Sequence, residues 1–107
     1  MKTPINDSRE QVLIMIESTA DWRAQNANEY PDDERNEISR DYLLELYVYV
    51  ENLPTDHPVF DKIYNMDEYD IERFKYTLSI YGFWGNEDPG DFIEKEVMLG
   101  VFRTEAN

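Results

Sequence analysis

His57 is the single histidine of the chain, and Asp61 stands one helical turn beyond it, a spacing at which imidazole and carboxylate can pair on one helix face. A metal site needs three or four ligands, and with no cysteine present only carboxylates remain to complete it. His57 is therefore expected to sit at a helix start without a catalytic or metal role. A serine triad would have to recruit Ser8, Ser18, Ser39 or Ser79, none of which lies in a G-x-S-x-G elbow. Carboxylate pairs can be drawn almost anywhere among 24 acids, so glycosidase-type pairing carries no information. The four glycines form neither a P-loop nor a dinucleotide fingerprint. Asn86-Glu87-Asp88-Pro89-Gly90-Asp91 offers oxygens of the kind calcium takes, yet it lacks the alternating acids and terminal Glu of an EF-hand. A capping loop is expected there. No catalytic residue, metal or cofactor is assigned, and the chain is expected not to be an enzyme.

The charge balance narrows the remaining classes. Twenty-four Asp and Glu against ten Lys and Arg give a net charge of −14, whereas small domains need a magnitude of only about 2–8 for solubility. Such a surface repels nucleic acid and anionic membranes and attracts basic proteins. The cations are scattered, with no stripe to meet phosphates, so direct nucleic-acid binding is not expected. With 41% hydrophobic and 14% aromatic residues the chain can still build a core, which separates it from disordered acidic tails. The absence of cysteine fits a reducing compartment. The longest apolar runs, Val12–Ile16 and Leu46–Val50, fall far short of the ~20 residues that cross a bilayer, and the first ten residues lack signal-peptide features. A cytoplasmic protein with no membrane partner is expected.

Stripes and breakers lay out the elements. Residues 1–7 read as a flexible leader and 1–107 as a single acidic helical domain. Ser8 and Gln11 form a capping box for a first helix to about Asn26, with Leu13, Ile16, Ala20, Ala24 and Ala27 on its core side beside Val12, Met15 and Trp22. Pro31 ends the pattern, and Asp32 or Asp33 is expected to cap a second helix to about Leu53. Asp56 is expected to cap a short third helix through Val59, Phe60, Ile63 and Tyr64. Asp67 caps a fourth that Gly82 stops, and Asp91 caps a last one carrying Ile93, Val97 and Val101. Leu46–Val50 has strand propensity, but its helical phase with Ile38 and Tyr42 decides for helix. The expected fold is all-α, a single small bundle of four to five helices.

The second helix is the central element. Ile38, Tyr42, Leu46, Tyr49 and Leu53 are expected to face the core, widened by Leu43, Tyr47 and Val50. On its far side Glu34, Glu37, Asp41 and Glu45 form an acidic ridge, with Arg40 placed to pair with Glu37. Like charges at these spacings cost a helix a few tenths of a kcal/mol per pair. Leu44 and Val48 emerge beside the ridge, as an apolar pair edged by carboxylates. The fourth helix shows two apolar sides: Ile71, Phe74, Leu78 and Tyr81 on one, Tyr69, Tyr76 and Ile80 opposite, with Asp67, Glu68 and Glu72 nearby.

In size, acidity, helical character and lack of catalytic motifs, the chain resembles DNA-mimic inhibitors of phages and mobile elements, the anti-CRISPR and anti-restriction proteins. It is also similar to small acidic immunity proteins that block nuclease toxins. Both resemblances lie in composition over the whole length and transfer no residue roles. They imply an acidic helical surface that occupies a basic, nucleic-acid-binding surface of a partner protein. The expected partner-binding set is Glu34, Glu37, Asp41, Leu44, Glu45, Val48, Asp67, Glu68, Tyr69, Glu72, Tyr76 and Ile80. The competing expectation is a helical homodimer or adaptor in which the second apolar sides meet a copy and the charge serves solubility.

Overall fold

The computed structural model describes residues 4–103, with side chains from residue 9 onward. The fold is all-α. Its helices are α1 (Pro4–Glu29), α2 (Arg35–Glu51), α3 (Pro58–Tyr64), α4 (Glu68–Ile80) and α5 (Pro89–Asp91), and α5 runs on into a π-helical stretch, Phe92–Val97. The 26 residues of α1 span about 39 Å and set the long axis of a 46 × 29 × 22 Å molecule. Leu46–Val50 lies within α2, as its helical phase requires.

Local signals place some helix ends and misplace others. The Asp67 carboxylate accepts from Asp70 N at 2.8 Å and starts α4. Gly82, at φ +73°, follows its last turn, where a left-handed residue closes the helix. By contrast, α1 begins at Pro4, so Ser8 and Gln11 lie inside a helix already under way, and residues 4–7 are helical instead of a loose leader. Proline suits a first turn because its missing N–H has no intrahelical partner there. The part of the expected leader at residues 1–3 lies outside the described residues.

Three caps fall on different residues from those expected. Glu34 occupies the cap position of α2 without a side-chain bond, while Asp33 Oδ1 takes Arg35 N at 3.1 Å and the carboxylate binds the Arg35 guanidinium. His57, in place of Asp56, caps α3: its Nδ1 accepts from Val59 N at 3.0 Å. Asp88, in place of Asp91, caps α5 by accepting from Asp91 N at 3.0 Å.

The π-helical stretch follows from what must be buried. In an α-helix Phe92 and Val97 would lie about 140° apart. Two i→i+5 bonds, Met98 N to Ile93 O at 3.0 Å and Val101 N to Glu96 O at 2.9 Å, widen the turn. Phe92, Ile93 and Val97 all reach the core, Val101 stays exposed, and Phe102 is buried in its stead.

The core is a single cluster. Val12, Ile16 and Ala20 of α1 meet Leu43, Leu46 and Val50 of α2, with Val59, Phe60 and Ile63 of α3 and Phe74, Leu78 and Tyr81 around the end of α4. Its inner stripe on α2 is Asn36, Ser39, Leu43, Leu46 and Val50. Leu43, Leu46 and Val50 lie on the expected inward side, joined there by Asn36 and Ser39, while Tyr42, Tyr47, Tyr49 and Leu53 pack half-buried against the same core. Ile38, placed inward by its hydrophobicity, is 39% exposed. The cause is polar: Asn36 and Ser39 are buried because each has a distant partner.

Arg23 supplies the first of these partners. Its Nη1 donates to Asn36 Oδ1 at 2.9 Å, and Nε and Nη2 donate to Ser79 O near the end of α4. Ser39 Oγ donates to Tyr81 O just beyond. Carbonyls in the last turn of a helix lack intrahelical donors, so α1 and α2 together satisfy the end of α4. Trp22 is a rim residue, its ring beneath the Arg23 guanidinium at 4.4 Å.

Candidate functional site

With its inner stripe committed to α1 and the core, α2 presents an outward face of about half the cylinder. Glu34, Glu37, Asp41 and Glu45 are all exposed there. Arg40 turns onto Asp41, at 2.9 Å, and not onto Glu37 as its spacing suggests. Among the described residues no cation comes within 4 Å of Glu34, Glu37 or Glu45. Leu44 and Val48 open onto solvent on the same face, 47% and 54% exposed.

A shallow groove gathers four of the expected residues. Asp41, Leu44, Glu45 and Val48 line it together with Tyr49 and Pro89. Pro89 arrives because α5 packs beside α2, where Gly90 lies against the Tyr49 ring. Neither Tyr49 nor Pro89 belongs to the expected set. The helical phase of Tyr49 points it inward, and nothing in the local sequence links Pro89 to a position 40 residues earlier.

The α4 residues do not join this groove. Asp67 is spent on its helix cap, and Glu72 lies 3.6 Å from Lys75. Tyr69 is exposed beneath the Arg73 guanidinium at 5.5 Å, Glu68 is exposed, and Tyr76 and Ile80 are half-buried. Arg73 and Lys75 stand beside Asp70 and Glu72 on this surface, at 3.8 and 3.6 Å.

Two polar clusters carry no local sequence signal. Arg103 makes a bidentate contact with Glu87 at 2.6 and 2.7 Å and reaches Glu96 at 2.9 and 3.0 Å. Those carboxylates hold its guanidinium above the usual arginine range, Glu87 foremost and against the effect of burial. Glu87 also accepts from Gly82 N at 2.9 Å. With Asp88 capping α5, two of the acids considered for calcium are turned to protein donors. In the second cluster Arg23 and Arg35 lie over the Phe83 ring at 4.4 and 4.5 Å, with Trp84 5.2 Å from Arg35. The bond from Arg35 holds the Asp33 carboxyl down at about 2.

His57, Ser39 and Ser79 each make structural hydrogen bonds. Because His57 Nδ1 accepts the α3 cap bond, Nε2 carries the proton and donates to Glu94 Oε1 at 2.8 Å, so Glu94 and not Asp61 is its acid partner. The hydroxyls of Ser39 and Ser79 donate to main-chain carbonyls. Among the described residues no group of three or more His, Asp or Glu is arranged to hold a metal ion, and no helix is long and apolar enough to cross a membrane. Comparison of the chain with protein-family models, with curated proteins and with solved structures finds no match.

Proposed function

We propose that the chain is a non-enzymatic interaction protein whose outward α2 face binds a basic, nucleic-acid-binding surface of another protein, in the manner of DNA-mimic inhibitors. The observation that carries this reading is the row Glu34, Glu37, Asp41 and Glu45, exposed on one helix face, with only Asp41 paired to a described cation. Neighbouring carboxylates at i+3 and i+4 lie about 5–6 Å apart and form a line of negative charge. Cations that hold a phosphate backbone are attracted to such a line by the same charge complementarity. The like-charge cost within α2 works against the isolated helix, whereas a cationic target would turn the same row into an attraction.

Competition tests the reading. The immobilised protein should capture nucleic-acid-binding proteins from a host lysate, and added duplex DNA should release them. Binding should weaken about tenfold or more between ~0.05 and ~0.2 M salt. Replacing Glu37, Asp41 and Glu45 together by Lys should leave the circular dichroism spectrum intact and remove capture. Capture that survives in the folded triple variant, or that DNA does not compete, refutes the assignment.

A further inference from the structure

On the strength of that reading of the α2 face, we infer that the element seated in the α2–α5 groove is an amphipathic cationic helix of the partner, with an apolar row flanked by Lys or Arg. A surface of cations alone would be served by carboxylates alone. Here Glu37, Asp41 and Glu45 form one i+4 row, while Leu44 and Val48 form a second, one i+3 step away. The two rows run side by side along one helix, acidic and apolar, with the same pitch. Tyr49 and Pro89 give the apolar row a wall, and Arg40, one turn before Leu44, is folded onto Asp41 and closes the row at its N-terminal end. The complement of such a pair of rows is a helix carrying apolar side chains at i and i+4 beside cations at the same spacing. From Glu37 to Val48 the rows extend about 17 Å, so three turns of partner helix fill them. A second copy of this chain is a poor occupant, because it brings its own acids to face Glu37, Asp41 and Glu45.

The test uses three dye-labelled peptides of 18 residues: a Leu/Lys helix with its leucines on one face, the same composition with leucines dispersed, and oligolysine. Fluorescence anisotropy at ~0.15 M salt should show the amphipathic peptide binding about tenfold tighter than the dispersed one. The methyl signals of Leu44 and Val48 should shift on its addition. Leu44→Ser with Val48→Ser should abolish that preference and leave the weak, salt-sensitive attraction to oligolysine. Glu37→Lys, Asp41→Lys and Glu45→Lys together should remove binding of all three peptides. Equal binding of the amphipathic and dispersed peptides, or an unchanged preference in the serine variant, overturns the helical occupant and leaves the acidic contact face standing. Failure of every cationic peptide to bind, or indifference to the lysine variant, brings down the contact face itself. Self-association that the serine variant loses in sedimentation would name a second copy as the occupant and overturn the inference.

Discussion

Tyr81 is fully buried, and among the described residues its hydroxyl is the one buried side-chain polar atom without a partner. Burial, and next to it the Glu87 carboxylate, push its ionisation well above the ordinary phenol value of 10.0. The protonated form is thus favoured by folding. Its contribution to stability is complete below pH ~10 and is lost as pH rises beyond that, where the unfolded phenol ionises. Tyr81→Phe should stabilise the protein by about 1 kcal/mol at neutral pH by removing an unsatisfied hydroxyl, and it should flatten the alkaline limb of a stability–pH curve. Arg23 makes the opposite case, since every bond it forms joins separate helices. Arg23→Ala leaves Asn36 and the Ser79 carbonyl without their donor, and urea unfolding should show a loss of about 3 kcal/mol with an unchanged slope.

At the scale of elements, the end of α4 is the tightest joint. A Cβ on Gly82 would stand 2.5 Å from Tyr42 Cβ, in addition to the strain of φ +73°. Gly85 has a similar φ of +78°, but a Cβ there would meet nothing within 4 Å. Thermal unfolding should therefore separate them: Gly82→Ala costs about 2–3 kcal/mol and Gly85→Ala about 1 kcal/mol. Element boundaries are legible where a side chain serves its own helix, as Asp67 and Gly82 do. They are obscured where several acids compete for one cap, as at Asp32 to Glu34 and Asp88 to Asp91. The π-helical stretch has no local signature, because it exists to bring Phe92, Ile93 and Val97 to a core that other helices form.

For the whole molecule, a net charge of −14 acts on folding and binding with opposite sign. Self-repulsion opposes the compact state, so raising ionic strength from ~0.01 to ~0.15 M, which shortens the Debye length from ~30 to ~8 Å, should raise the melting temperature. The same change should weaken capture of a cationic partner. A melting temperature that falls with salt would mean that the pairs made by Arg103, Arg35 and Arg40 outweigh the unpaired carboxylates of the α2 face.

The amino-acid sequence alone determined the helical class, the breaks at Pro31 and Gly82, and the line of carboxylates along α2, because helix phase and turn chemistry act within a few residues. Tertiary structure decided which polar residues share the inward side of α2 and what stands beside its outer face. The burial of Asn36 and Ser39 depends on Arg23 and Tyr81, 13 and 42 residues away, which complete their hydrogen bonds. Ile38 is left outside with Leu44, Val48 and the acids, and Pro89 closes the groove. A buried polar group must find its partner wherever the fold places it, and that requirement added Asn36 and Ser39 to the inward side that Leu43, Leu46 and Val50 mark by hydrophobicity.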